Sequence, residues 1–168
     1  MRRNSGQATL EYALLYAGVI LPLTFGIVFV AEMLWVWHSM VEFTRDGARY
    51  AATHCWQPDA GNVIAYMQAH VPPTIDQDEF RGLGTGQAQI GVTYSATDPT
   101  TGALTDFTCD GECTVDCLPD VVTVSIDGYQ FRHFVDFLKL PPVTMPPFPA
   151  TVPMESAGCD PEQGTCLP

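Results

Sequence analysis

From Tyr12 to Val30 the chain runs for nineteen positions without one charged side chain. A helix of that length rises about 28 Å, close to the roughly 30 Å hydrocarbon thickness of a bilayer. The pattern predicts one transmembrane helix. Neither proline nor a turn cluster interrupts Ala31 to Thr53, so the helix is expected to continue beyond the membrane. Val41, Thr44, Ala48, Ala51 and Ala52 form a small-residue stripe there, while Glu42, Arg45, Asp46 and Arg49 occupy other faces. Gly47 weakens a helix by about 1 kcal/mol relative to alanine, which is tolerable where a neighbouring element approaches. Pro22 is expected to kink the span, with Thr24 and Gly26 close by to ease the distortion.

His54-Cys55-Trp56-Gln57-Pro58 ends this helix, and a short amphipathic helix is expected from about Asn62 to Val71, with Val63, Tyr66, Met67 and His70 on one face. Pro72-Pro73 stops it. Ala88, Ile90, Val92 and Tyr94 alternate with polar or small residues, as do Val122, Val124 and Ile126, and both segments read as half-buried strands. Asp127-Gly128 is either a tight hairpin turn or a bulge. Ala103–Phe107 and Ala150–Met154 are weaker strand candidates, and Pro153 confines the second to an edge. Pro141, Pro142, Pro146, Pro147 and Pro149 predict a stiff extended connector rather than a packed element. The fold class is therefore α+β: a long N-terminal transmembrane helix extending into a small domain with an antiparallel sheet.

Charge narrows the partners. Seven basic residues face nineteen acidic ones, for a formal net charge of −12, which argues against a nucleic-acid partner. Arg2 and Arg3 precede the span, so the positive-inside bias keeps that arm in the cytoplasm and sends residues after about 38 outward. Trp35 and Trp37 then fall where an outer aromatic belt belongs. A cleaved secretory signal is the competing reading. The apolar run is longer than a usual h-region, Glu32 and two tryptophans follow it, and no small-x-small site lies close behind.

All six cysteines, Cys55, Cys109, Cys113, Cys117, Cys159 and Cys166, lie beyond the span, and an even count outside the cytoplasm favours disulfides. Zinc is the rival, since Cys109, Cys113 and Cys117 recur every fourth position, yet zinc takes four tight ligands and no histidine lies beside them. Six cysteines permit fifteen pairings, among which Cys159–Cys166 is the best local guess. Asp98, Asp106, Asp110, Glu112, Asp116 and Asp120 form an acidic stretch whose spacing does not fit a calcium loop, because Val115 stands where the required glycine would be. Gly82-x-Gly84-x-Gly86 lacks dinucleotide-binding spacing and reads as a flexible turn. Neither H-E-x-x-H nor G-x-S-x-G occurs, and the histidines are scattered at 38, 54, 70 and 133. His38 reads as interfacial and His133 as surface or core-edge. No enzymatic activity and no cofactor are expected.

The mouth of the span carries the most specific signal. Glu11 lies five residues after Gly6, and a carboxylate near the membrane needs a shallow position or a partner. Cutting between Gly6 and Gln7 would place a new α-ammonium one helical turn before Glu11, able to compensate its charge within one subunit or between neighbours. Gly6, Glu11 and Tyr12 together resemble the Gly/x-x-x-x-Glu-Tyr processing motif of tight-adherence (Flp-type) prepilins. Leu21-Pro22-Leu23-Thr24-Phe25-Gly26-Ile27-Val28 and Thr44-Arg45-Asp46-Gly47-Ala48-Arg49-Tyr50-Ala51-Ala52 are similar to the TadE/TadF pseudopilins of the same machinery.

That resemblance, over about residues 6–52, implies a cytoplasmic leader at 1–6, a transmembrane and extended helix at 7–54, and a periplasmic disulfide-containing domain at 55–168. It implies a pilin-like minor pilin or pseudopilin, processed at Gly6 and Gln7 and single-pass in the bacterial inner membrane, with incorporation in a surface pilus left open. The implied partners are a prepilin peptidase, other pilin and pseudopilin subunits, the inner-membrane assembly platform and the membrane itself. Glu11, Pro22, Arg45, Gly47 and Arg49 become candidates for assembly. A permanently anchored periplasmic binding or sensor domain stays open as the alternative, distinguished by needing no cut. The topology is testable directly: reporter fusions after Phe137 are expected to be active only in a periplasmic mode, and cytoplasmic-mode activity would overturn the orientation.

Overall fold

A computed structural model describes residues 5–57, 60–81, 88–109, 113–132, 135–136, 139, 141–154, 156, 158–160, 162 and 165–166. Arg2, Arg3, Pro58, the Gly82–Gly86 stretch, Asp110, Glu112 and His133 lie outside the described residues. The chain divides into two compact units, one up to Trp37 and one from His38 onward.

Helix α1 (Ser5–Leu15) passes through a five-residue π-helical segment, Tyr16–Ile20, into α2 (Leu21–Thr53). Proline explains the irregularity. Pro22 has no N–H to offer the carbonyl four residues back, and its ring crowds that carbonyl, so a wider turn immediately before it relieves the clash. Thr24 compensates further, since its hydroxyl is 2.9 Å from the Ile20 carbonyl and 2.8 Å from that of Leu21. The expected distortion at Pro22 therefore takes the form of a π-helical turn, after which the helix resumes. From Gly6 to Thr53 this is one helix of 48 residues, long and apolar enough to cross a membrane. Leu10, Leu14, Leu23, Ile27 and Leu34 all stand exposed along it.

In the second unit the same helix changes character. Met40, Phe43, Thr44, Gly47, Ala48 and Ala51 are buried, a spacing of three and four that defines one face. The small-residue stripe is thus present but shares its face with Met40 and Phe43, while Val41 and Ala52 are only half-buried. Helix α3 (Gly61–Ala69) packs close to it. A Cβ built on Gly47 would lie 2.5 Å from Met67 Sδ, so the glycine is what allows this approach. Val63 and Met67 are fully buried, Tyr66 is half-buried and His70 is exposed, so the expected α3 face is buried at its centre and open at its end. A single turn, α4 (Asp78–Arg81), brings Phe80 edge-on to Phe43 at 5.7 Å and Glu79 to Arg132 at 3.1 Å.

The sheet has four antiparallel strands in the order β2-β1-β3-β6. These are β1 (Gln89–Thr97), β2 (Leu104–Asp106), β3 (Val121–Asp127) and β6 (Phe148–Pro153). Registers Val92↔Val124, Tyr94↔Val122 and Val124↔Ala150 align one apolar face, in which Val122, Val124 and Ile126 are completely buried. The opposite face is polar, and the hydroxyls of Thr123 and Thr151 meet across it at 3.0 Å. Pro149 and Pro153 sit in β6 because an edge strand leaves half its N–H groups without a ladder partner anyway.

Two expectations need correction. Asp127-Gly128 makes neither a hairpin back along β3 nor a bulge within it. Gly128 adopts a φ of +74°, and the chain leaves the sheet to form β4 (Gln130–Phe131), which pairs with β5 (Val143–Thr144). The proline-rich connector is exposed at most positions, as expected of a spacer, but it is anchored to the core at two. Met145 and Phe148 are buried, and Met145 N donates to the Tyr129 carbonyl at 2.9 Å. Prolines limit where such a segment can donate, not whether its other side chains join the core. The C-terminal ribbon, β7 (Cys159–Asp160) and β8 (Thr165–Cys166), closes the chain.

Gly47 provides a stability test. Gly47→Val overpacks Met67 and is expected to destabilise the second unit by about 1–3 kcal/mol. Combining it with Met67→Ala is expected to cost less than the two single changes added together, because the side chain that clashes has been removed. Thermal or denaturant unfolding of the four proteins measures this, and strict additivity would show that the contact does not set the helix separation.

Candidate functional site

At the head of α1, Gly6, Gln7, Glu11 and Tyr12 are all exposed, and Gly6 has nothing near the position a Cβ would take. The segment is therefore an accessible stretch of helix. Gln7 Nε2 donates to Glu11 Oε1 at 3.2 Å, a side-chain contact between positions four apart on one helical face. Tyr12 stacks on Tyr16 with ring centroids 6.4 Å apart. Pro22 lies in the same unit, directly after the π-helical turn.

Further along, Arg45 Nη1 and Glu42 Oε1 form a 2.8 Å ion pair one turn apart, with both side chains about half exposed. An exposed pair of this kind contributes little to stability. Arg49 is also exposed. The structure thus places both arginines on the outer side of α2 and Gly47 on its packed side. Between α2 and α3 the rings of His54, Tyr50, Tyr66 and His70 stack in sequence, with centroid separations of 3.8, 3.9 and 4.3 Å. Tyr66 donates its hydroxyl proton to Asp46 at 3.0 Å; burial and this acidic partner together raise its pKa. The column joins the two helices. It was readable in the sequence as two Tyr-x-x-x-His spacings, each putting two rings on one helical face.

The six cysteines form three bridges: Cys55–Cys113, Cys109–Cys117 and Cys159–Cys166. The local pairing expected at the C-terminus is present. The regular trio does not gather as a metal set, since Cys109 and Cys117 bond to each other and Cys113 reaches back to Cys55. Instead the sulfurs of Cys55, Cys113, Cys159 and Cys166 lie within 4.8 Å of one another, two bridges side by side. Around them, Trp56 donates its indole N–H to the Cys117 carbonyl at 2.7 Å, and its ring meets Phe107 edge-on at 5.1 Å.

Trp56, Tyr94 and Phe107 also wall a cavity of about 470 Å³ whose rim includes Gln57, Val92 and Asp106. The hydroxyl of Tyr94 is buried and has no hydrogen-bond partner among the described residues, and desolvation pushes its pKa up to about 12. The acidic stretch, by contrast, is largely turn chemistry. Asp98 Oδ1 accepts the backbone N–H groups of Thr100 and Thr101, which hold its carboxyl below the usual range, and Asp120 Oδ2 accepts that of Thr97 at 2.6 Å. Asp106 and Asp116 are exposed.

The family model described as TadE-like protein matches residues 6–49, about a quarter of the chain. The N-terminal segment is therefore TadE-like, which links the chain to Tad pilus systems and, in general terms, to the components that assemble them. Its one long apolar helix fits a single-pass membrane protein. No curated protein and no solved structure matches the chain.

The bridge pattern predicts an order of effects. In the chain-entropy picture, Cys55–Cys113, at a sequence separation of 58, stabilises by about 4 kcal/mol, and Cys109–Cys117, at a separation of 8, by about 2.5 kcal/mol. Paired Cys→Ser replacements followed by denaturant titration measure both. Acid-quenched peptide mapping is expected to recover the three linkages without free thiols, and six alkylatable thiols would revive the metal reading.

Proposed function

We propose that this chain is a minor pilin or pseudopilin of a tight-adherence pilus system, held in the inner membrane by its apolar helix until a prepilin peptidase cuts between Gly6 and Gln7. The observation that carries this reading is the TadE-like match over the helix that bears Gly6, Glu11 and Pro22. Its action is assembly rather than catalysis. After cutting, the exposed leucines and isoleucines of the helix exchange lipid for neighbouring subunits, while residues 55–168 stay folded in the periplasm. The partners in this reading are other pilin and pseudopilin subunits and the inner-membrane platform.

Glu11 has a defined part in the mechanism. In an apolar surround an isolated carboxylate is costly, and the new α-ammonium of Gln7, one turn away, supplies the opposite charge. The existing approach of the Gln7 side chain to Glu11 supports the geometry, because positions i and i+4 share a face. The charge pairing is available within one subunit or across two.

Two measurements test the proposal. Intact mass from cells with the matching peptidase is expected to show loss of residues 1–6, and full-length chain alone would favour a permanently anchored periplasmic binding or sensor domain. Glu11→Gln is expected to insert and be cut normally, since Gly6 is unchanged, but to accumulate in the membrane while surface pili fall. Normal piliation with fully processed Glu11→Gln protein would reject charge compensation without disturbing the cleavage result.

A further inference from the structure

Two of the three bridges meet without being joined. Cys55–Cys113 ties the end of α2 to the segment before β3, and Cys159–Cys166 closes the ribbon of β7 and β8 on itself, so neither bond holds the ribbon beside the helix. Yet the four sulfurs all lie within 4.8 Å of one another. Backbone packing brings them there. Gly158, next to Cys159, approaches the Thr53 carbonyl so closely that a Cβ would collide with it, two residues before Cys55. Cys159 and Cys166 stand directly opposite in the antiparallel ribbon, a register that puts both side chains on one face.

Each bridge satisfies its own two cysteines, so disulfide formation by itself does not call for this meeting. Four sulfurs delivered by three segments are, however, the donor set of a tetrahedral zinc site. With Zn–S bonds of about 2.3 Å, the edges of such a tetrahedron are about 3.8 Å long. Opening the bridges takes each internal separation from ~2.0 Å to that value, and the separations between bridges, at most 4.8 Å, close by no more than about 1 Å. Cys55 and Cys159 are buried, whereas Cys113 and Cys166 are half-buried, which leaves an ion a way in. Cys109 and Cys117 are not members of the group.

We propose that Cys55, Cys113, Cys159 and Cys166 are the ligands of a tetrathiolate site that holds one zinc ion in the chain before its bridges close. Synthesis delivers cysteines as thiols, so loading needs no reductant. It is an acid–base step: four S–H protons leave, four thiolates each bond to Zn2+, and no electrons move. Bridge closure displaces the ion. Each closure forms one S–S bond and passes two electrons to a disulfide of the oxidant, which takes up two protons and leaves as a dithiol, and two closures free the zinc. While bound, the ion keeps four thiols away from Cys109 and Cys117, which cuts the fifteen pairings open to six cysteines down to three.

The test uses the full chain in detergent micelles, reduced with a phosphine, freed of metal and titrated anaerobically with cobalt(II) and then zinc(II). One cobalt per chain is expected, with the absorption of a tetrahedral tetrathiolate, displaced one for one by zinc with release of about four protons. Cys55→Ser and Cys166→Ser are each expected to weaken zinc binding at least about tenfold, and the double variant Cys109→Ser/Cys117→Ser to bind within about twofold of the parent. Oxidation by glutathione disulfide is expected to give a higher yield of the three native linkages from the zinc-loaded chain than from chain held in chelator. Absence of a one-to-one complex would overturn the proposal, as would equal binding by the oxidised chain. Loss of the complex in the double variant would move the site to the regular trio and overturn this ligand set. Binding without the β-sheet signal in circular dichroism would overturn it too, because any four thiols of an unfolded chain would then serve. Equal yields of native linkages would overturn the ordering of the pairings.

Discussion

The end of the long helix, from Thr53 to Trp56, is the fixed point on which the second unit depends. One distant segment and the start of the next helix are tied there. Cys55 is bridged to Cys113, Trp56 donates to the Cys117 carbonyl, and Asn62 turns its amide back to the Cys55 carbonyl at 2.9 Å. Gly158 comes so close to the Thr53 carbonyl that a Cβ would collide with it, and with a φ of +73° it strongly favours glycine on backbone grounds as well. A helix C-terminus normally leaves carbonyls to be satisfied by solvent or caps. Here the approach of other segments crowds that end, and the covalent bridge prevents them from drifting away.

How much of this could be read from the sequence depends on whether the signal was local. Alternation at Ile90–Val92–Tyr94 and at Val122–Val124–Ile126 specified two strands because a sheet with one buried face leaves a period of two. Gly47 announced a close neighbour because a glycine inside a helix needs a packing reason, and Met67 is that neighbour. The partner of each cysteine was not local information. Cys113 sits midway in a regular trio, yet its partner lies 58 residues away, and only the folded chain decides that. Gly6 and Glu11 were legible as a motif, whereas the pocket was not, because Trp56, Tyr94 and Phe107 come from three separate segments.

The acidic balance looks different once its members are placed. Asp76 accepts the N–H of Asp78, Asp98 those of Thr100 and Thr101, Asp120 that of Thr97 and Asp160 that of Glu162. These carboxylates shape turns by receiving backbone protons that loops would otherwise leave to water. Part of the net charge is thus a by-product of loop architecture in a domain with short strands. Asp106 makes no such turn among the described bonds and stays exposed on β2.

The helix up to Trp37 poses the opposite problem from the packed unit. Its backbone is satisfied internally, and its apolar side chains are exposed along most of its length. Water is a poor surround for that surface, whereas lipid and a bundle of like helices are both good ones, because each replaces apolar–water contact by apolar–apolar contact. The two surrounds differ in how they treat the polar positions. A headgroup region tolerates the Glu11 carboxylate with its Gln7 partner, but a dry helix bundle does not tolerate an uncompensated charge. In the reading proposed above, a peptide-bond cut one turn before the carboxylate would supply the opposite charge that lets such a segment pass from one surround to the other.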